Sequence, residues 1–397
     1  MFGGRDEQAR PVGARGSMAL MLQVFLINRG ILTLISLLTS KLFYDVPGRD
    51  HGLLALWHRW DVLWFVQIAD HGYTWSAPPI QSDVAFFPLF PFAMHVLSLI
   101  SPFSAYGAGL LIANLSFAAT LYFFHRLLLR DFEAAVAERA VYYLGLFPTA
   151  LFFYASYSEA LYLLCCIGCI YALRLRRWWV AGVCGMGAAL TRQLGLLLVV
   201  PFAMEALEYY RHRPRDEFER YSPWLALSLA PAGLIAYMVY LQARFGDAFL
   251  FLRAQAAWHR GLALPWEGIA LDMSRIVHLP GHFSAHTQGA LEATSWLDIS
   301  FLGLFLILIG LGVRWLPRSY SVYGGACMVA ILVAPATGQG QPLALLSISR
   351  FELTIFPPFI VLALLGRSPV VDRVVQAISV SLLVLFTILF VRGRWVA

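Results

Sequence analysis

Long apolar runs constrain this chain more than any other feature of its sequence. A helix needs about 20 residues to cross the hydrocarbon core of a bilayer, and the chain has several such runs. They lie near residues 19–43, 105–129, 223–244, 298–316, 320–336 and 374–391. The composition agrees, because 59% of the residues are hydrophobic and 13% are charged, unlike a soluble domain. The sequence predicts an all-α polytopic membrane protein, with one integral membrane domain over residues 1–397.

Arginines cluster at the ends of the apolar runs, as is typical of cytoplasmic loops. If these clusters and an N-terminal arm (residues 1–18) all face inward, the chain crosses the membrane an even number of times between successive clusters. This requirement predicts about eleven spans and two large outer loops, residues 44–104 and 245–297, with a third near 337–350. The net charge of +6 then reflects topology, and a nucleic-acid partner is not predicted. The clusters contain Arg126, Arg130 and Arg139; Arg174, Arg176 and Arg177; Arg211, Arg213, Arg215 and Arg220; Arg314 and Arg318; and Arg367 and Arg373.

Several segments are too short for ordinary spans. The chain between Arg139 and Arg174 must cross and return, which predicts two short helices that turn near residues 154–158. By the same reasoning, residues 178–210 form a second pair that turns at "TRQLG". The first outer loop has two amphipathic stretches, one over residues 59–73 and one over 82–100. We predict that both are juxtamembrane helices.

The stretch "RWDVLWFVQIADHGY" places an acid among aromatic residues. At about 100° per residue, Asp61 falls on the same helical face as Trp57, Trp64 and Phe65. Neither a disulfide framework nor a metal site is suggested elsewhere. All five cysteines lie in apolar segments, and the outer loops have neither a DxD-type acidic pair nor histidines at ligand spacing. No metal and no cofactor are therefore predicted.

Six motifs in order along the chain resemble the PIG-V family of mannosyltransferases, which add the second mannose in glycosylphosphatidylinositol assembly and have bacterial relatives. The motifs, spread from about residue 59 to 365, are "RWDVLWFVQIADHGY", "AFFPLFP", "FPTALFFYASYSEALY", "RRWWVAGVCGMGAALTRQLGLLL", "FLRAQAAWHRGLALPW" and "SISRFELTIFPPFIVLA". The resemblance implies a GT-C glycosyltransferase with juxtamembrane helices in its first outer loop. Such an enzyme moves a sugar, here mannose, from a polyprenyl-phosphate carrier to a lipid or glycan acceptor outside the cytoplasm.

The resemblance implies that Asp61 is the acidic catalytic residue of the first outer loop. Displacing a lipid phosphate requires a base for the incoming hydroxyl, and the carboxylate of Asp61 would be that base. Trp57, Trp64 and Phe65 would then stack against a sugar ring. The alternative for Asp61 is an ion pair with Arg59 or Lys41. Asp83, just before "AFFPLFP", is the other acidic candidate. It is either a second acid or a hydrogen-bond partner of the substrate, or it has a loop or helix-capping role.

Arginines suit the donor phosphate, because a guanidinium holds two phosphate oxygens at once and keeps its proton. Arg350 is the first choice, since it begins an apolar run where the family has a similar arginine. Arg192 and Arg260 are the alternates. For each of the three, an interfacial anchor or a structural ion pair is the competing interpretation.

Three further residues are candidates for substrate binding. Glu159 lies in an apolar helix, where a carboxylate needs a partner and is either functional or structural. Trp258 and His259, in "WHRG", are expected to contact the acceptor, although interfacial tryptophans commonly anchor a protein in its membrane.

Two other classes of function remain open from the sequence. A transporter or flippase of a lipid-linked glycan would also need buried arginines and broken helices, but the two halves of the chain show no repeat. A non-catalytic scaffold subunit would also keep charged residues for structural reasons. The preference for arginine over lysine favours a bacterial plasma membrane over the endoplasmic reticulum, with membrane lipids around the chain and the active site facing outward.

Overall fold

The computed structural model describes residues 13–211, 217–278, 285–336, 344–345 and 347–396. Most of the predicted N-terminal arm therefore lies outside the described residues. The same is true of much of the predicted third outer loop.

The described chain is built from α-helices and short 3₁₀ turns. In chain order the helices are α1 (Ala14–Leu42), α2 (Asp61–His71), α3 (Leu89–Ile100), α4 (Ala105–Asp131), α5 (Ala134–Gly145), α6 (Glu159–Arg174), α7 (Trp178–Thr191), α8 (Val199–Arg211), α9 (Glu217–Leu227), α10 (Leu229–Phe245), α11 (Leu250–Ala254), α12 (Glu267–His278), α13 (Ala285–Trp315), α14 (Arg318–Leu332), α15 (Ile348–Glu352), α16 (Pro357–Leu365) and α17 (Pro369–Val391).

Five segments in the described part of the chain are long and apolar enough to cross a membrane. They are Ala14–Leu42, Ala105–Asp131, Arg220–Phe245, Trp296–Trp315 and Pro369–Val391. The prediction of an all-α membrane protein is confirmed, whereas the count of about eleven spans is not. The run near 320–336 shows the reason, because its helix, α14, has 15 residues and at 1.5 Å per residue is shorter than the hydrocarbon core.

Both predicted pairs of short helices break where expected. Helix α5 ends at Gly145, a 3₁₀ turn covers Ala150–Phe153, and α6 begins at Glu159. Helix α7 ends at Thr191 and a 3₁₀ turn follows over Gln193–Leu198. This second turn needs glycine at position 195, because a Cβ atom there would lie 2.2 Å from the Ala188 carbonyl carbon.

The first predicted outer loop contains the two short helices expected of it, α2 and α3. They pack against each other through Phe65 and Phe90, whose ring centroids are 5.0 Å apart. The end of the chain covers this loop from the other side. Arg392 forms an ion pair with Asp45 at 2.6 Å, and Trp395 packs edge-on against Trp60 at 5.4 Å. The loop is thereby fixed against the end of α17.

The predicted second outer loop, residues 245–297, is partly helical. It contains α11, a 3₁₀ turn over Gln255–Trp258 and α12, and its last residues already belong to α13. The turn brings Arg260 beside the segment after α14, where Arg260 and Ala336 form an isolated antiparallel bridge.

Candidate active site

Arg350 lies at the centre of a buried group of charged side chains. Its Nη2 donates to Oδ2 of Asp61 at 2.5 Å, and its Nε donates to Oε1 of Glu159 at 2.5 Å. Only 5% of Arg350 is exposed. One guanidinium therefore joins two carboxylates from distant parts of the chain, which is the planar, multi-donor geometry that arginine favours.

Glu159 links Arg350 to a second arginine. Its Oε1 also accepts from Nη2 of Arg192 at 2.8 Å, and the glutamate is completely buried. The two helix breaks explain this meeting, because Glu159 is the first residue of α6 and Arg192 directly follows the last residue of α7. A buried carboxylate needs such partners, since an unpaired charge in a low-dielectric site is costly.

Three arginines surround the ring of Phe351. The guanidinium carbons of Arg260, Arg192 and Arg350 lie 5.0, 5.6 and 5.8 Å from its centroid. These distances are within the range of cation–π attraction. Arg260 is further held by a hydrogen bond from its Nη1 to the Ala334 carbonyl at 3.2 Å. All three predicted phosphate-binding arginines thus lie around one ring.

We call Asp61, Glu159, Arg192, Arg260 and Arg350 the charged cluster. Three guanidinium groups and two carboxylates leave one net positive charge. Burial lowers the pKa of Arg260 to about 10, so this arginine still carries its proton at neutral pH. Nη1 of Arg192 is buried and has no hydrogen-bond partner among the described residues. The cluster therefore combines a surplus of positive charge with an unused donor.

Strained backbone lies next to three members of the charged cluster. Non-glycine residues rarely adopt positive φ, and the described chain has four of them. Trp60 (φ 55°) directly precedes Asp61, and His259 (φ 57°) directly precedes Arg260. Ser347 (φ 68°) precedes the short helix that carries Arg350. Such strain is concentrated at functional sites in proteins.

The partner of Asp61 differs from both partners considered from sequence. The Arg59 guanidinium donates instead to two backbone carbonyls, those of Leu56 at 2.7 Å and of Pro47. Asp61 forms its ion pair with Arg350, and its side chain remains 20% exposed. It is the first residue of α2.

The predicted aromatic face is divided by the break at Trp60. Trp57 belongs to a separate 3₁₀ helix, Leu53–Trp57, and is completely buried against Tyr154 and Phe390. The expectation that Trp57 stacks on a sugar is corrected, because its ring has no open face. Helical periodicity placed it beside Asp61 only under the assumption that one helix runs through residue 60.

Trp64 and Trp258, two of the predicted aromatic residues, form a group with Phe86 near the start of α2. Trp64 stacks with Phe86 at 6.0 Å and meets Trp258 edge-on at 6.2 Å. We call Trp64, Phe86 and Trp258 the aromatic group, and each is only partly buried. Phe65 lies behind this group, packed edge-on against Phe86 and 2% exposed. Phe65 therefore supports Phe86 rather than offering a surface of its own.

Asp83 is bonded within its own loop. Its carboxylate accepts from the Thr74 backbone N–H at 2.9 and 3.1 Å and from the Thr74 hydroxyl at 2.8 Å. It is completely buried, and burial raises its pKa, against the lowering effect of the bonds from Thr74. These bonds close the loop over residues 74–83. Because Thr74 lies in the loop after α2 and does not begin a helix, these contacts fit the loop alternative and not a helix cap.

The charged cluster borders a small cavity at Arg260. A cavity lined by Arg260, Phe351 and Leu345 has about 10 Å³, roughly the room that one water needs. A larger cavity of about 500 Å³, lined by Arg177, Trp179 and others, lies beyond the far end of α6. Glu159 begins α6, whereas the larger cavity follows its last residue, Arg174. The larger of these two cavities therefore lies away from the charged cluster.

Residues 17–210 of the chain match the Mannosyltransferase (PIG-V) family. We call residues 17–210 the PIG-V segment. The resemblance recognised from the motifs is thus confirmed over these residues. The PIG-V segment contains Asp61, Glu159 and Arg192, whereas Arg260 and Arg350 come from the chain beyond it. The charged cluster therefore joins the PIG-V segment to the second half of the protein.

Solved structures of an archaeal oligosaccharyltransferase share some similarity with the chain. The Archaeoglobus fulgidus enzyme in complex with zinc and sulfate is 15% identical, with a TM-score of 0.39, and the match covers 94% of this chain and 52% of that one. The same enzyme in complex with an inhibitory peptide and a dolichol-phosphate is 13% identical, with a TM-score of 0.36 and coverage of 92% and 55%. This chain spans about half the length of those structures. No curated protein matches its sequence.

Several residues of the site gave no signal in the sequence. Phe351 and Tyr157 are apolar or aromatic residues within apolar runs, yet both contact the Arg350 guanidinium, Tyr157 at 5.0 Å. Glu352 was also missed, although an acid in the run "FELTIFPP" was visible. It is completely buried, and neither of its carboxylate oxygens has a hydrogen-bond partner among the described residues.

Proposed function

We propose that this protein is an inverting glycosyltransferase that uses a polyprenyl-phosphate sugar as donor, with mannose as the sugar. The acceptor is a lipid or glycan hydroxyl on the extracytoplasmic side of the membrane. The observation that carries the proposal is the meeting of Arg192, Arg260 and Arg350 around Phe351, next to the carboxylate of Asp61.

The three arginines suit the leaving group of such a reaction. When the sugar leaves its carrier, the carrier phosphate gains negative charge, and fixed cations in a water-poor site stabilise that charge. Arginine keeps its proton in such a setting and can hold two phosphate oxygens. The unpartnered Nη1 of Arg192 would supply one more donor to a phosphate oxygen.

Asp61 suits the activation of the attacking group, because its carboxylate can accept the proton of the acceptor hydroxyl. Of the two carboxylates in the charged cluster, it is the exposed one, at 20% against 0% for Glu159. A single displacement by a hydroxyl on the face opposite the phosphate would invert the configuration at the sugar carbon. The aromatic group, with Trp64 one helical turn after Asp61, would provide ring faces for the sugar or the acceptor.

The alternatives are a flippase and a scaffold subunit, and one assay separates a transferase from both. The purified protein in detergent is given a mannosyl phosphate of short polyprenyl chain and a soluble mannoside acceptor. A transferase forms a new glycosidic bond, whereas a flippase has no sidedness to act upon in detergent and a scaffold does nothing. Product formation by the wild type but not by Arg350→Ala supports the proposal. Absence of product with every acceptor hydroxyl offered, in protein that binds the donor, contradicts it.

A further inference from the structure

The ion pair between Asp61 and Arg350 conflicts with the role proposed for Asp61. Oδ2 of Asp61 already accepts a hydrogen bond from the Arg350 guanidinium at 2.5 Å, so this oxygen is not available to a hydroxyl proton while the contact lasts. If Oδ2 of Asp61 is the base, the contact must be released before the acceptor hydroxyl reacts.

The two carboxylates on Arg350 differ in how easily they can leave. Glu159 is completely buried and is also bound to Arg192, so its departure would strand two buried cations. Asp61 is 20% exposed, and the ion pair with Arg350 is the only one that the structure gives it among the described residues. Truncating one member of a buried pair is costly because the other charge stays unpaired. Asp61 is therefore the exchangeable partner, and Glu159 is the fixed one.

Aromatic rings lie around the Arg350 guanidinium. Besides Phe351, the rings of Tyr157, Phe152 and Trp395 lie 5.0, 5.2 and 5.6 Å from its guanidinium carbon. The cavity beside Arg260 and Phe351 has room for about one water. Asp61 is the more exposed of the two carboxylates on the guanidinium, so a ligand that replaces one of them on Arg350 is expected to replace Asp61.

We infer that the donor phosphate replaces the Asp61 carboxylate on Arg350, while Glu159 keeps the guanidinium in position. This inference rests on the proposed function. The exchange keeps Arg350 neutralised at every stage, because one anion takes the place of another. It also links the two halves of the reaction, since Asp61 is free to accept a proton only when a donor is bound. Glu159 acts through the two arginines as a positioning residue and does not touch the reacting atoms.

The exchange predicts opposite effects at the two carboxylates. The probe is farnesyl phosphate, a short polyprenyl phosphate without sugar, and the measurement is its Kd for the purified full-length protein. Asp61→Asn removes the competing anion and should tighten binding about fivefold, the scale of a partly exposed ion pair. Glu159→Gln loses the anchor of two arginines and should weaken binding. Asp70→Asn, an exposed acid at the other end of α2, is the matched control and should leave binding unchanged.

A second measurement separates displacement from a general effect of removing negative charge. Carboxyl groups of the wild type are labelled with a carbodiimide and an amine and read by mass spectrometry. Farnesyl phosphate should increase labelling of Asp61 and leave Glu159 unlabelled. If Glu159→Gln does not fold, Glu159→Asp takes its place, with weaker binding expected because the shorter side chain reaches only one arginine.

Unchanged or weaker binding in Asp61→Asn, or unchanged labelling of Asp61, would overturn the exchange. The proposed function would survive that result if the wild type still transfers sugar from the lipid donor. If the wild type neither binds farnesyl phosphate nor transfers sugar, both the exchange and the proposed function are wrong.

Discussion

Arg350 and Asp61 are 289 positions apart in the chain, yet their side chains are joined at 2.5 Å. The pair connects the first helix of the first predicted outer loop to the short helix that precedes α16. Buried Thr149 reinforces the connection, because its hydroxyl donates to the Ser349 carbonyl at 3.0 Å. The candidate site is therefore complete only when the segment around Asp61 has packed against the segment around Arg350.

Replacement of Arg350 should separate charge from geometry. We expect Arg350→Ala to lower turnover by about 10² to 10³, the usual effect of removing one donor to a developing negative charge. Arg350→Lys should lose less turnover than Arg350→Ala, because lysine keeps the positive charge. It should still fall below the wild type, because lysine lacks the planar pair of donors that reach Asp61 and Glu159. The measurement is the initial rate with a polyprenyl-phosphate sugar. Arg373→Gln, an exposed arginine on α17, should retain wild-type rates.

If Lys and Ala variants of Arg350 both fold and both match the wild type, Arg350 has no part in donor use. Arg192 would then be the next arginine to test, since its Nη2 is bound to Glu159 and its Nη1 has no partner among the described residues.

Glu352 offers a test of buried charge near the site. A charged carboxylate without partners is costly in a low-dielectric environment, so the neutral acid is the form that suits this position. Glu352→Gln imitates the neutral acid and should raise the thermal unfolding midpoint in detergent, with turnover retained. Loss of turnover in a variant that unfolds at the wild-type temperature would instead assign Glu352 to the chemistry.

The sequence indicated which residues carry charge but not which of them meet. Charged residues in apolar runs are conspicuous because burial is costly, and this marked Glu159, Arg192 and Arg350. Their pairing depends on packing between distant helices, which no local spacing encodes. Asp61 illustrates the gap, because the nearby Arg59 was considered as its partner and the actual partner comes from the other end of the chain.

Secondary structure was predictable where the chain is amphipathic or interrupted. The helices α2 and α3 and the breaks before Glu159 and after Thr191 all follow from local residues. The prediction for Trp57 is wrong because the apolar periodicity continues across residue 60, whereas the helix is interrupted there by the positive φ of Trp60. The span count exceeded the number of long helices because several apolar helices are too short to cross the hydrocarbon core by themselves.

The predicted topology can be tested by labelling engineered cysteines from outside intact cells. Ala270→Cys, in the predicted second outer loop and exposed in the structure, should react with a membrane-impermeant maleimide. Arg215→Cys, in a predicted cytoplasmic loop, should react only after the membrane is opened. The wild type is the control for background, because its five cysteines lie in apolar helices. Reaction at position 215 but not at 270 in intact cells would reverse the orientation and the outward-facing site.

The role of Asp61 is tested most directly by Asp61→Asn, which removes the charge but keeps the volume. General-base assistance is typically worth 10² to 10⁴ in rate, so turnover should fall by about that factor, roughly 3 to 5 kcal/mol of barrier. Binding of the lipid phosphate should tighten, since the competing charge of Asp61 is removed and Arg350 keeps Glu159 as its buried partner. The residual product and the wild-type product should both have inverted configuration, because the displacement still occurs from the face opposite the phosphate.

A structural role for Asp61 predicts a different pattern from the same variant. Loss of the ion pair would then lower the unfolding temperature, while turnover per folded molecule stayed close to that of the wild type. If purified Asp61→Asn keeps more than about a third of wild-type turnover, a loss below 1 kcal/mol, the base lies elsewhere. Asp83 would be tested next, although three bonds from Thr74 already occupy its carboxylate. A proton acceptor at that position would first have to give up those bonds, so Asp83→Asn should then affect both folding and rate.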